Sequence, residues 1–128
     1  MKTALQPNFM LFYVASPSES AAFYARILGR EPVEASPGFA LFVLDSGLKL
    51  GLWARGGVEP AVEGLPQHAS GELAFAVPDV AAVQAAHQAW LGLGIPMLQA
   101  PTQMDFGFTF TASDPDGHRL RVFTPQGD

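Results

Sequence analysis

The stretch DPDGHRLRVF, at residues 114–123, decides how the sequence folds, because an earlier stretch has the same design. The earlier stretch is LDSGLKLGLW, at residues 44–53, and it lies 70 positions before the later one. In both, a polar turn that ends in Gly is followed by residues that alternate in character, which is typical of a β-hairpin. The chain is therefore predicted to contain the same structural unit twice.

The repeat extends towards the beginning of each half. A strand ending at Val14 leads into a helix that stops at Gly29, and 63 positions later a strand ending at Val77 leads into a helix that stops at Gly92. The larger offset at the hairpins indicates seven added residues in the second half, around residues 100–105. Each half is predicted to form a strand, a helix and three strands.

A unit of this kind covers only one face of its sheet with the helix, so the other face needs a partner. We therefore predict an α+β fold of two tandem βαβββ modules around a shared concave cavity. The predicted single domain, 1–128, consists of a module at 7–54, a linker at 55–70 and a module at 71–125. The Gly- and Pro-rich linker is long enough to form a lid or a dimer contact.

Composition limits the classes of function. The 128 residues include no cysteine, and 7 Lys plus Arg stand against 12 Asp plus Glu, for a net charge of −5. Disulfides, thiolate metal sites and a Cys nucleophile are excluded, and no basic stripe is available for nucleic acid. No apolar run is long enough for a membrane span. We predict a soluble, cytoplasmic protein with neither a nucleic-acid nor a membrane partner.

Helix signals support both modules. Ser16 and Pro17 are a good N-cap and first residue for the first helix. Asp79 is a good N-cap for the second helix, whose buried stripe is predicted to contain Val80, Val83, His87, Trp90 and Leu91.

Strand alternation predicts which side chains point into the cavity. We expect six of them to bind a ligand: Phe9, Tyr13, Trp53, Glu72, Arg121 and Phe123. Trp53 is either a stacking platform for a flat molecule or ordinary core, and Phe123 is either a ligand contact or part of a dimer seam. Glu72 and Arg121 form either a structural ion pair or a ligand site in which Arg121 grips a carboxylate. His118 is expected to stabilise its turn.

These residues resemble the glyoxalase/bleomycin-resistance/dioxygenase family, which has the vicinal oxygen chelate fold. The DPDGHRL motif at 114–120, the Phe23-Tyr24 pair and the paired modules carry the likeness over nearly the whole chain. Further features resemble the phenazine-antibiotic resistance proteins of that family: Pro7-Asn8, Tyr13-Val14, Glu31-Pro32-Val33, Leu52-Trp53, Gly56-Gly57, Glu59-Pro60, Val62, Phe106-Gly107 and the run at 113–118. The resemblance implies the paired βαβββ fold and a homodimer.

Enzymes of the family hold a divalent metal with four side chains, one in the first and one in the last strand of each half. The repeat maps these positions onto Phe9, Gly51, Glu72 and Arg121. Phe and Gly offer no ligand atom, and Arg is a permanent cation that repels a metal. We predict no metal and no other cofactor.

Three functions remain open at this stage. The favoured one is metal-independent sequestration of a planar aromatic antibiotic or metabolite, similar to a phenazine, by a protein that is not an enzyme. The second is a lyase or glyoxalase-type enzyme that uses an unrecognised metal site or Glu72 as a base. The third is a dimeric module without a small ligand.

Overall fold

A computed structural model describes residues 8–59 and 72–125, which belong to two compact units, one in each range. Each unit contains one α-helix and one four-stranded sheet. No helix among the described residues is long and apolar enough to cross a membrane.

The first unit begins with a strand that pairs in parallel with the last strand of the unit, and the helix lies between them in sequence. The sheet order is β1-β4-β3-β2, with the other pairs antiparallel. Its elements are β1 (Phe9–Val14), α1 (Pro17–Leu28), β2 (Glu34–Ser36), β3 (Phe39–Val43) and β4 (Lys49–Ala54), followed by a 3₁₀ turn at Arg55–Gly57.

The second unit repeats this plan, with sheet order β5-β8-β7-β6 and a parallel β5–β8 pair. Its elements are β5 (Glu72–Ala76), α2 (Val80–Gly92), β6 (Met97–Met104), β7 (Gly107–Ser113) and β8 (Arg119–Pro125). The prediction of two tandem βαβββ modules is confirmed. The seven added residues fall where expected, because edge strand β6 is longer than its counterpart β2 and contains register shifts.

Capping residues explain where the first helix begins and ends. The Ser16 side chain accepts a hydrogen bond from the Glu19 backbone N–H at 3.2 Å, and Gly29 ends the helix in the left-handed conformation with φ of 67°. Both features match the sequence prediction. On the helix side, Tyr24 and Phe23 are buried and pack edge to face, 5.1 Å apart.

The second helix departs from the prediction in part. Val83 and Trp90 are buried as expected, and Trp90 packs edge to face on Phe75 and Phe110. Val80 and Leu91 were wrongly assigned to the buried stripe, since they are 43% and 46% exposed. Val80 is the first residue of the helix, and Leu91 is turned by about 100° around the helix axis from its neighbour Trp90, which packs on the sheet.

Glycines form the hairpin turns and the end of the second helix. Gly47 and Gly117 have φ of 97° and 91°, as the predicted hairpin turns require. The helix stop in the second unit is different, because Gly92 is still helical and the left-handed residue is Gly94, with φ of 77°. The linker prediction, 55–70, falls mostly on residues 60–70, which lie outside the described residues.

Candidate functional site

The uncovered face of the first sheet is aromatic. Along β1 the side chains alternate, so Phe12 and Val14 are buried beside the helix while Phe9 and Tyr13 point the other way and are 45% and 36% exposed. Trp53 lies next to Tyr13 in the strand register, and the two rings meet edge to face with centroids 6.4 Å apart. Trp53 is therefore on the uncovered face and not on the helix side.

Gly51 lies at the centre of this face. It pairs with Leu11 on one neighbouring strand and Leu41 on the other. A Cβ atom at position 51 would lie 2.6 Å from Leu11 Cδ2, 3.0 Å from Phe39 Cζ and 3.1 Å from Phe9 Cε1. Three apolar side chains thus converge over a glycine. Phe39, which sequence analysis did not single out, shares this face, and the alternation in the run FALFV at 39–43 was the signal for it.

The uncovered face of the second sheet contains an ion pair. Arg121 Nε and Nη2 donate to the two carboxylate oxygens of Glu72 at 2.8 and 3.0 Å, in a two-pronged geometry. The side chains are 16% and 33% exposed, respectively. These hydrogen bonds hold the pKa of Glu72 below its ordinary value of about 4.5, against desolvation, and they raise the pKa of Arg121. The two residues that sequence analysis paired do meet.

A polar network fixes the guanidinium from the other side. Arg121 Nη1 donates to Gln99 Oε1 at 3.3 Å and to Thr109 Oγ1 at 3.2 Å, and the Thr111 hydroxyl donates to the same Gln99 oxygen. Within the described residues, four of the five guanidinium N–H groups are used, which leaves one at Nη2. A ligand carboxylate gripped by two N–H groups would have to displace Glu72.

Phe106 and Phe123 lie beside this ion pair. Their rings meet edge to face at 6.1 Å, and the Arg121 guanidinium carbon lies 5.6 Å from the centre of the Phe106 ring. Phe106 is 44% exposed. Phe106 precedes β7 and lies in the turn, so strand alternation does not govern its direction.

His118 stabilises its turn through Asp114. The buried Asp114 carboxylate accepts hydrogen bonds from the Asp116 and His118 backbone N–H groups at 2.9 and 2.8 Å. Its second oxygen contacts His118 Nδ1 at 2.8 Å. This arrangement agrees with the structural role predicted for His118.

The four family metal positions do not fit a metal ion. At Gly51 the space for a ligand side chain is filled by apolar atoms, and the Phe9 ring is one of the groups that fill it. Arg121 engages both oxygens of Glu72, the one carboxylate among the four. In the parts of the chain that the structure describes, no group of three or more His, Cys, Asp or Glu side chains is arranged to hold a metal.

The fold and the sequence together identify the protein superfamily of this chain. The glyoxalase/bleomycin resistance protein/dioxygenase superfamily matches residues 6–122, and the chain belongs to this superfamily. The chain is 32% identical to a phenazine antibiotic resistance protein of Enterobacter agglomerans over 121 residues, which is 92% of this chain and 91% of that one.

Solved structures agree with this assignment. A protein of Agrobacterium tumefaciens studied by NMR in solution is 48% identical, with a TM-score of 0.86 over 97% of this chain and all of the other. A superfamily protein from Nocardioides shares the fold at 20% identity, with a TM-score of 0.82 over 98% of this chain and 86% of that one.

Proposed function

We propose that the protein binds a planar aromatic small molecule, of the phenazine type, and confers resistance by sequestering it without metal-dependent chemistry. The observation that carries this proposal is the aromatic face of the first sheet, which contains Phe9, Tyr13 and Trp53. Apolar side chains turned to solvent in one patch mark a binding surface. The similarity to a phenazine antibiotic resistance protein supports the same class of ligand.

Trp53 is proposed as the stacking platform. Its indole is held edge to face by Tyr13, so the orientation of the ring is set before a ligand arrives. Stacking of a flat heterocycle on such a ring contributes about 1–3 kcal/mol. Phe9 is proposed to extend the apolar contact along the same strand.

In the second unit, Glu72, Arg121 and Phe123 are proposed to supply a polar and aromatic contact. Because Glu72 and the polar network occupy most of the guanidinium, Arg121 offers a ligand one hydrogen bond at Nη2. That suits a carbonyl or a ring nitrogen better than a carboxylate. Phe106, next to Phe123, adds exposed ring surface.

The enzyme alternative is less well supported. A carboxylate whose pKa is lowered by two hydrogen bonds from Arg121 is a weaker base than an ordinary Glu, so Glu72 is poorly suited to proton abstraction. A metal would need donors that Phe9, Gly51 and Arg121 do not provide.

Calorimetric titration with a substituted phenazine of about 20 non-hydrogen atoms tests the proposal. At roughly −0.3 kcal/mol per atom, we expect a dissociation constant in the tens of micromolar. Trp53→Ala should weaken binding about 10-fold, because the stacking surface is lost. The matched control is Trp90→Phe, which alters the other tryptophan of the chain, buried in the second unit.

The same titration separates sequestration from catalysis. Binding should be unchanged by EDTA, and mass spectrometry should recover the phenazine with its mass unaltered. Loss of binding in EDTA, or conversion of the ligand, would support the enzyme alternative. Equal affinities of the Trp53→Ala variant and the wild type would refute the proposed platform.

Assembly and location also belong to this proposal. We propose a homodimer in the cytoplasm, on the basis of the family resemblance and the composition. Sedimentation velocity at micromolar concentration should give twice the chain mass of 13.6 kDa. A single species of one chain mass would contradict the dimer.

A further inference from the structure

We propose that Gly51 is a specificity-determining residue. Because it has no side chain, the first unit presents a wide apolar surface, here called the floor and formed by Leu11, Gly51, Leu41 and Trp53. This floor suits fused-ring molecules of two or three rings. This inference rests on the proposed function, since it concerns the same aromatic face. It assigns a role to the absence of a side chain at the centre of that face.

Apolar side chains pack over Gly51. The glycine is buried, although the two β1 side chains that approach it, Phe9 and Leu11, remain 45% and 41% exposed. The tips of Leu11, Phe39 and Phe9 occupy the volume that a Cβ atom at position 51 would take. These side chains therefore lie low over the strand, and their flanks form an apolar surface turned to solvent.

The backbone at Gly51 has the ordinary conformation of a β-strand. Several glycines of the chain have a positive φ, which side-chain-bearing residues adopt only with strain, but Gly51 lies within regular β4 and has no such angle. Both neighbouring strands pair with it in register. The backbone does not require a glycine here, so the requirement comes from the space above it.

The floor is large enough for more than one aromatic ring. Across β1, β4 and β3 the three strands span roughly 10 Å, and the Leu11 and Tyr13 rows lie roughly 7 Å apart along the strands, while the Phe9 row has Lys49 at its middle position. A single ring would cover a small part of this surface. Two or three fused rings would cover the Leu11–Gly51–Leu41 row and reach the Trp53 indole in the next row. A side chain at position 51 would raise the middle of the floor and prevent flat contact.

The test is the variant Gly51→Ala, with Gly92→Ala as the matched control. A Cβ atom at Gly92 meets nothing within 4 Å, and this residue lies on α2 of the other unit. NMR titrations with phenazine and with quinoxaline, which has two rings and the same nitrogen pattern, give affinities and identify the amides that shift. Spectra without ligand show that each variant is folded.

We expect Gly51→Ala to weaken phenazine binding about 10-fold or more, as one additional methyl group does in an apolar site. Quinoxaline should be affected less, because it can retain the Trp53 end of the floor. In wild-type protein, phenazine should shift the amides of Leu11, Leu41 and Gly51. Gly92→Ala should leave both affinities unchanged.

A second variant supports the test should Gly51→Ala fold poorly. Leu11→Ala removes the side chain closest to position 51, one that is already 41% exposed, and should weaken phenazine binding several-fold. Wild-type protein that binds neither probe would refute the proposed function and this inference with it. Wild-type protein that binds phenazine, with Gly51→Ala and Leu11→Ala binding it equally well, would refute the floor alone.

Discussion

The ion pair between Glu72 and Arg121 should respond unequally to removal of its two partners. Glu72→Gln removes the carboxylate and leaves a guanidinium whose side chain is only 16% exposed. Arg121→Met removes the cation and leaves a carboxylate that is 33% exposed and can be hydrated. An unpaired ion destabilises the folded protein more when it is shielded from water than when it can be hydrated. We therefore expect Glu72→Gln to be more destabilising than Arg121→Met.

The hydrogen bonds of the ion pair determine how much unfolding free energy each substitution should cost. Glu72→Gln exchanges two charge-assisted hydrogen bonds for at most one weaker one, because the amide nitrogen cannot accept from Arg121, and should cost about 2–3 kcal/mol of unfolding free energy. Arg121→Met should cost about 1 kcal/mol, given the hydration of Glu72. No further polar atom is orphaned in that variant, because Gln99 still accepts from Thr111 and Thr109 still donates to the Val122 carbonyl.

Urea unfolding of the two single variants and the double variant measures this directly. The double variant should be about 1 kcal/mol more stable than Glu72→Gln, because Arg121→Met removes the stranded charge. The control is Asp45→Asn, which breaks an ion pair with Arg30 whose Asp side chain is 94% exposed, and should cost about 0.5 kcal/mol or less. If the double variant is less stable than Glu72→Gln, the reasoning about the stranded cation is wrong.

The same pair should make stability depend on pH in a defined window. Because the pKa of Glu72 is lower in the folded protein than its ordinary value of about 4.5, its contribution is complete above that value. The contribution is lost as the pH falls through the lower, folded pKa. The difference in unfolding free energy between wild type and Glu72→Gln should therefore shrink in acid, and a difference that is constant from pH 7 to pH 3 would contradict this.

Two further predictions concern the core and the turn of the second unit. Trp90→Ala should cost about 3–5 kcal/mol in urea unfolding, because it empties the space between Phe75 and Phe110, and a loss below 1 kcal/mol would show that Trp90 is not core. Asp114→Ala should cost about 2 kcal/mol in thermal unfolding, since the Asp116 and His118 backbone N–H groups both lose the carboxylate oxygen that accepts from them. Ser46→Ala, in the equivalent turn, breaks only a 3.4 Å hydrogen bond and should change stability little; equal losses would contradict the special role of Asp114.

Strand patterns predicted much of this arrangement from sequence. The 63- and 70-residue offsets located both modules, and alternation correctly assigned the faces of Phe9, Tyr13 and Trp53. The same rule put Glu72 and Arg121 on one face, where they pair. These predictions succeeded because a strand has only two faces, so one buried residue fixes the direction of its neighbours.

The misassigned residues lie at the ends of elements. Val80 and Leu91 were assigned to the buried stripe by periodicity, but Val80 is the first residue of the helix and Leu91 lies about 100° around the helix axis from the buried Trp90, so both fall at the margin of the stripe. Phe106 was not among the predicted site residues, because it lies in a turn, where no periodicity applies; its ring packs on Phe123. Whether the faces of the two units contribute to one shared cavity stays a prediction.

Positions 51 and 121 are equivalent in the repeat, and the two units fill them in opposite ways. Gly51 lies between Leu11 and Leu41, whose bulk compensates for the missing side chain. Arg121 lies between Ala74 and Thr111, whose small size leaves room for a long one. Restoring a metal ligand at position 51 would require Leu11, Phe39 and Phe9 to move, whereas the small neighbours of position 121 leave room for another side chain. The departure from the enzymatic pattern at position 51 is therefore built into the packing of the first sheet, in agreement with the apolar ligand that we propose for this face.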